Sequence, residues 1–372
     1  MSSSETEDIS LEGTPKPGEI FADRYRIDRV LGVGGMGVVL AATHVHLREK
    51  VAIKVLLPMH ATRQETVARF LREGRAAVKI RSEHVGRVID VGTHGGLHYI
   101  VMEYLEGSDL AEVLKRQGRL PSVLAVDYVL QACEAIAEAH AMHTVHRDLK
   151  PANLFLIRGP NDTPCIKVLD FGISKMTMGD GAPEELAMTR TSSILGSPLY
   201  MSPEQLRSSK TVDERADIWA IGVMLYELIA GIPPFEAETV AVLGALVLSG
   251  HVPDIRERVP ETPPGLAHVI ETCLRSEVMD RFPSLVELSV ALEPFGTPAA
   301  RASVQRIGAV LQNVPRPPSS FSGVRPRASS SAEIAAFSKL STSSNPSLPT
   351  QPSNWGSTTN PYAPRKRSSA AI

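Results

Sequence analysis

His146-Arg147-Asp148-Leu149-Lys150-Pro151-Ala152-Asn153 follows a long helical pattern and runs into an apolar β stretch, Leu154 to Ile157. Within these eight positions stand a carboxylate (Asp148), an ammonium (Lys150) and a side-chain amide (Asn153). Handing a phosphoryl group to a hydroxyl calls for those three: a carboxylate to orient the nucleophile, a cation for developing charge, and an amide oxygen for a metal ion. Seventeen residues beyond Asn153, Asp170-Phe171-Gly172 ends another apolar run, Ile166 to Leu169, and offers a second metal ligand. An isolated Asp-Phe-Gly is a common accident; one placed after this octet is not.

Working back toward the N-terminus, Gly32-Val33-Gly34-Gly35-Met36-Gly37-Val38-Val39 fits G-x-G-x-x-G-x-V, in which glycines admit a close backbone approach to phosphates. In a dinucleotide-binding fold the last glycine would open a helix. Here a β run follows, so the loop joins two strands; a plain structural turn is the alternative reading. Val51-Ala52-Ile53-Lys54 then puts a lysine on the next strand, on the same face as Ala52. A surface lysine is the default, but an ammonium here is placed to neutralise phosphate oxygens. The helical segment 64–80 offers it Glu65 or Glu73, and Glu73, mid-helix, is the expected partner.

The pattern changes near residue 105. Residues 25–103 alternate short β-branched runs with glycine-containing turns, the mark of an antiparallel sheet, interrupted by that one helix. Beyond 105 the periodicity is helical, clearest over 122–144, where Val126, Val129, Leu130, Cys133, Ile136, Ala137 and His140 recur on one face. The run Ala220 to Ala230 reads as a buried core helix. The expected fold is α+β and bilobal, a small β-rich lobe at 25–105 and a larger helical lobe at 106–296 with a cleft between them.

Flanking segments look different. Residues 1–20 lack periodicity and read as a disordered leader, and 297–372, rich in Ser and Pro, as a disordered tail. Two short amphipathic pieces in that tail, Val304 to Leu311 and Ala332 to Leu340, are candidates for docking. The tail holds nine Lys/Arg and one acidic residue, Glu333, within a chain of formal net charge −2, so the body is acidic. Such a balance gives no global attraction for nucleic acid or an anionic membrane, and Arg365-Lys366-Arg367 reads as a solvated terminus. Three widely spaced cysteines fit neither a disulfide framework nor a zinc site, no stretch reaches the apolar length of a membrane span, and a cytoplasmic protein is expected. His140, His143 and His146, at three-residue spacing, imitate a metal triad but read as helix-end and packed core residues.

Motif by motif from about residue 25 to 296, the sequence resembles the eukaryotic-like serine/threonine protein kinases of bacteria. The resemblance implies ATP and Mg²⁺, with Lys54 paired to Glu73 and holding phosphates, Asp148 orienting the substrate hydroxyl, Lys150 on the γ-phosphate, and Asn153 and Asp170 on Mg²⁺. It implies that Leu31, Gly32, Val33, Gly34, Gly35, Met36, Gly37, Val39 and Ala52 surround the nucleotide, that Met102 guards the back of the adenine pocket, and that Glu103 and Leu105 offer backbone groups to adenine. Ser202-Pro203-Glu204 resembles the family's A-P-E, with Arg281 placed to pair with Glu204, and Asp217 looks like the aspartate that braces the catalytic loop. Lys150 and Gly196-Ser197-Pro198-Leu199-Tyr200 resemble the serine/threonine branch. Thr189 and Thr191 are candidate autophosphorylation sites whose phosphate would pair with Arg147, in trans within a dimer or otherwise; solvated loop hydroxyls are the alternative. The rival from another class is a pseudokinase scaffold with an interaction tail, yet Lys54, Glu73, Asp148, Asn153 and Asp170 are all in place.

Overall fold

The computed structural model describes residues 12–159, 162–170, 198–207 and 212–312. Six strands form one antiparallel sheet: β1 (Ile20–Phe21), β2 (Tyr25–Val33), β3 (Gly37–His44), β4 (Lys50–Leu56), β5 (Val88–His94) and β6 (Leu97–Glu103), in the order β1-β2-β3-β4-β6-β5. Alternation along them sorts side chains between two faces. Val38, Leu40, Val51, Ile53, Val55, Tyr99 and Val101 join Phe21, Tyr25 and Ile27 in one buried cluster. The opposite face carries Val39 across from Lys54, Ala41 across from Ala52, and Met102 beside Ala52. Between β4 and β5 lie a one-turn helix, α1 (Pro58–Ala61), and α2 (Gln64–Ala77), which docks on the sheet through Phe70 against Leu56 and Ile100.

The second lobe starts with β7 (Gly107–Asp109), α3 (Leu110–Gln117) and α4 (Ser122–Ala141). Asp109 ends the strand and starts the helix, its carboxylate accepting the Glu112 N–H at 2.8 Å as an N-cap. β8 (Leu154–Arg158) and β9 (Pro164–Val168) complete a small sheet ordered β7-β8-β9. Then come α5 (Pro203–Arg207), α6 (Arg215–Ala230), α7 (Val240–Ser249), α8 (Ile255–Arg258), α9 (Pro264–Cys273), α10 (Leu285–Leu292) and α11 (Ala300–Gln312). Helix α6 is apolar on nearly every side and correspondingly buried from Ala216 to Tyr226, so it forms the axis of this lobe.

Two expected boundaries are corrected. The leader reading of 1–20 fails for its last part: Thr14 and Pro15 are buried, and Ile20–Phe21 pairs with Tyr25–Arg26 as a hairpin. That turn places Ala22 and Asp23 at φ 50° and 57°, a left-handed pair normally signalled by Asn or Gly, which explains why composition hid it. The tail reading of 297–372 fails for 300–312. Helix α11 buries Ala300, Ser303 and Ile307 in the core of the helical lobe and packs along α4, so the amphipathic piece Val304 to Leu311 is docked. Burying the Ile307 side chain alone is worth about 1.5–3 kcal/mol. The Arg306 guanidinium closes on the buried Glu134 of α4, with Nη2 to Oε1 at 2.8 Å. Serine- and proline-rich neighbours diluted the helical period in the sequence. The piece Ala332 to Leu340 lies outside the described residues.

Candidate active site

Lys54 projects from β4 toward two carboxylates. Its Nζ donates to Glu73 Oε1 of α2 at 3.1 Å and to Asp170 Oδ1, just past β9, at 2.7 Å. Lys54 and Glu73 are largely shielded, their side chains 16% and 14% exposed, whereas Asp170 is 47% exposed. Burial alone would lower the Lys54 pKa, but the two carboxylates reverse this and hold it well above an ordinary lysine. Burial is the largest influence on Glu73 and raises its carboxyl, with Lys54 pulling the other way. With one ammonium between two carboxylates, the contact is an ion pair.

Across the cleft, Lys150 Nζ donates to Asp148 Oδ2 at 3.0 Å, and Asn153 Nδ2 donates to the Asp148 carbonyl at 2.7 Å. The loop owes its shape to Asp217 at the start of α6. Its fully buried carboxylate accepts the backbone N–H groups of His146 and Arg147, each at 2.8 Å, and the His140 ring nitrogen at 2.7 Å. Burial would raise the Asp217 carboxyl; these hydrogen bonds outweigh it and keep the group below the usual range. His146, buried, has its pKa lowered and stays neutral, its Nδ1 accepting the Asp148 N–H at 3.3 Å. Among the described residues no group of three or more His, Cys, Asp or Glu is arranged to hold a metal.

Strain gathers here. Arg147 and Asp170 take φ values of 64° and 51°, a region that residues other than glycine rarely occupy and that surrounding contacts must enforce. For Asp170 that enforcement includes the Leu169 N–H bonded to the Asn153 carbonyl at 2.8 Å. Gln205 Nε2 donates to the Arg147 carbonyl at 3.1 Å, and Arg147 Nη2 reaches the Val212 carbonyl at 3.1 Å. Arg281 grips Glu204 with two bonds of 2.7 and 2.8 Å while lying over the Trp219 ring.

The glycine loop provides a test for a nucleotide. Gly37 answers to the protein itself, since a Cβ there would stand 2.7 Å from the Val55 carbonyl oxygen. Gly32 and Gly35 do not: a Cβ at either would meet nothing within 4 Å, and neither has a left-handed φ. Among the described residues nothing in the packing requires glycine at those two positions, whereas a phosphate chain lying against the loop would. The loop is pinned from α1, where His60 Nε2 donates to the Gly35 carbonyl at 2.8 Å, and by the Leu57 N–H on the Met36 carbonyl at 3.0 Å.

The matching set of groups also fits a hard divalent cation. Asp170 supplies a carboxylate, and Asn153 a side-chain oxygen opposite the amide nitrogen already bonded to Asp148. Met102 stands with Val88, Ile100 and Leu169 around a small cavity behind Lys54 and Glu73. Glu103 commits its N–H to the Arg87 carbonyl at 2.9 Å and its carboxylate to Arg87 N and Lys167 Nζ. Leu31, Val33 and Met36 are exposed at the loop, Leu105 is half-buried, and Val39 and Ala52 share the face of Lys54.

The protein kinase domain model matches residues 25–289. The chain belongs to the protein kinase family. Among its relatives are the serine/threonine-protein kinase pkn3 of Myxococcus xanthus, 37% identical over 71% of this chain and 48% of that protein, and PrkC of Bacillus subtilis, 33% identical over 74% of this chain and 41% of that one. PknA of Corynebacterium glutamicum is 35% identical over 77% of this chain and 59% of its own length. The chain spans about half the length of the curated relatives it matches. Among solved structures, the PknI kinase domain of Mycobacterium tuberculosis aligns with a TM-score of 0.58 and 28% identity, covering 76% of this chain and 99% of that domain.

Sequence reasoning missed His60, which holds the glycine loop, and Glu138, whose Oε2 accepts the Arg81 and Ser82 N–H groups behind α2 at 2.6 and 3.0 Å. Neither sits in a motif. Phe171, Gly172, Thr189, Thr191 and Gly196-Ser197 lie outside the described residues. No helix among the described residues is long and apolar enough to cross a membrane, and Cys133, Cys165 and Cys273 are free.

Proposed function

We propose that this chain transfers the γ-phosphoryl group of ATP to serine and threonine hydroxyls of proteins. The observation that carries the reading is the Lys54 ammonium held between Glu73 and Asp170, facing a loop on which Asp148, Lys150 and Asn153 interlock. Lys54 neutralises phosphate oxygens, Glu73 keeps it extended, and Asp148 accepts the hydrogen bond of the incoming hydroxyl so that a lone pair aims at phosphorus. Lys150, 3.0 Å from Asp148, steadies charge on the transferring group. Asn153 and Asp170 are the side chains suited to hold Mg²⁺, which, when bound, shields phosphate charge and fixes the geometry of the triphosphate. The open Cβ positions of Gly32 and Gly35 leave room for the phosphates; Met102, Glu103 and Leu105 are assigned to the adenine side.

The serine/threonine preference rests on Lys150 and on the relatives named above. Activation by phosphorylation at Thr191 or Thr189, paired with Arg147, in trans between copies, is part of the same proposal, as is a cytoplasmic signalling role without nucleic acid. Purified chain, labelled ATP and Mg²⁺ test it: incorporation into Ser/Thr is expected for the wild type and loss of it for Asp148→Asn. Equal labelling of both would reject catalysis, and equal activity of Thr189→Ala/Thr191→Ala would reject the activation sites. A pseudokinase scaffold has no observation in its favour, since no catalytic side chain is missing.

A further inference from the structure

Lys167 of β9 makes a contact that phosphoryl transfer leaves unassigned. Its Nζ donates to Glu103 Oε1 at 3.1 Å and so joins the helical lobe to the last residue of β6. The two side chains are 14% and 29% exposed, and solvent screens such a pair less than one on the open surface. Glu103 Oε1 also accepts the Arg87 N–H at 2.9 Å, while the Glu103 N–H donates to the Arg87 carbonyl at 2.9 Å. Glu103 is thereby held by both its main chain and its side chain.

Arg87 ends a short run that is itself bonded to β9. The His84 carbonyl accepts the Val168 N–H at 2.7 Å, the Gly86 N–H donates to the Val168 carbonyl at 3.0 Å, and Val85 pairs with Val168 as a parallel bridge. Residues 84–87, Glu103 and Lys167–Val168 form one knot, and Asp170 stands two residues beyond it. The neighbouring Tyr104 is held from the β-rich lobe instead, its hydroxyl accepting from Arg29 Nη2 at 3.1 Å and its ring lying under Lys50. Lys54 and Asp170 also link the lobes, but the proposed reaction needs that lysine for phosphate and that carboxylate for Mg²⁺. Lys167 and Glu103 have no such second duty, so their contact persists in use.

We propose that Lys167 is a positioning residue for the adenine base, acting through Glu103. The ion pair holds the end of β6, and with it the backbone groups of 103–105, at a fixed distance from the strand that leads to Asp170. Its loss slackens the base end of the site and leaves the phosphate end as it was. The proposal rests on the assignment of Glu103 and Leu105 to the adenine side.

Titration calorimetry on the full chain with Mg²⁺, using ADP and, separately, tripolyphosphate, tests it in Lys167→Met, Glu103→Gln, the double variant and Lys167→Arg. Glu103→Gln keeps an acceptor for the Arg87 N–H and removes the charge. The dissociation constant for ADP is expected to rise about tenfold in each single variant and no further in the double, since both changes remove one interaction. Lys167→Arg should bind ADP as the unaltered chain does. Tripolyphosphate should bind every variant alike, which also shows that each is folded. Unchanged ADP affinity in Lys167→Met would overturn the inference, as would ADP and tripolyphosphate weakened by one common factor, or single effects that multiply in the double variant. An unaltered chain that bound tripolyphosphate but not ADP would remove the adenine assignment itself, and the inference with it.

Discussion

Glu73 and Asp217 each anchor one side of the cleft with a carboxylate, Glu73 largely shielded and Asp217 fully buried, and they work differently. Glu73 meets another side chain, at the tip of Lys54, and that lysine is shared with the half-exposed Asp170 from a third element. Asp217 meets backbone N–H groups of His146 and Arg147 and a histidine one helix away, with no solvent near. The first arrangement holds only while α2 stays docked; the second is built into the core of the helical lobe. One side of the site is adjustable and the other is fixed.

Substitutions at the adjustable side or at the chemistry should cost turnover and leave folding alone. Lys54→Met and Asp148→Asn are each expected to lower phosphate incorporation by about 10²–10⁴-fold while the thermal midpoint stays within experimental scatter. Asp217→Ala should do the reverse in kind. It leaves two loop N–H groups and His140 without their acceptor, and a loss of about 3–5 kcal/mol in urea unfolding is expected. If the urea midpoint did not move, the contrast between the two carboxylates would be wrong.

Acid titration sharpens the comparison. The Glu73 carboxyl is raised by burial, so it takes a proton at higher pH than Asp217, whose carboxyl is lowered. As the pH is lowered, the link of Lys54 to α2 should fail first and the loop brace last, read as activity falling before near-ultraviolet circular dichroism. The signs in stability differ as well. Asp217 contributes stability that is complete above about pH 3.9 and is lost as pH falls through its depressed value. Glu73 contributes stability that is complete below about pH 4.3 and is lost as pH rises through its elevated one.

The smallest effect belongs to a pair remote from both. Arg306→Ala removes a half-exposed partner from Glu134 and should cost about 0.5–1 kcal/mol in urea unfolding with little change in turnover. A loss as large as that of Asp217→Ala would mean that α11 matters to the site.

The octet, the glycine loop and Lys54 were legible because each is a local run whose chemistry depends on neighbours in sequence. Glu73 was legible because helical spacing left few partners for Lys54. The two lobes followed from a change of period near residue 105. What escaped notice was contact between distant residues of ordinary type: Arg306 with Glu134, Glu138 with the Arg81–Ser82 backbone, and His60 with Gly35. Such pairs leave no periodic trace. The β1–β2 hairpin was hidden for a local reason, since Ala22 occupies a turn conformation that its side chain disfavours.

Helix α11 also sets where this protein can be cut. The kinase family's match stops at residue 289, before the helix begins. Trimming there would strip Ile307 and Ala300 from the helical lobe, open an oily seam along α4, and strand Glu134 beside His84 without its arginine. The fragment would be expected to clump as it leaves the ribosome, while one extended through Gln312 should stay dispersed, a difference that light scattering would read directly.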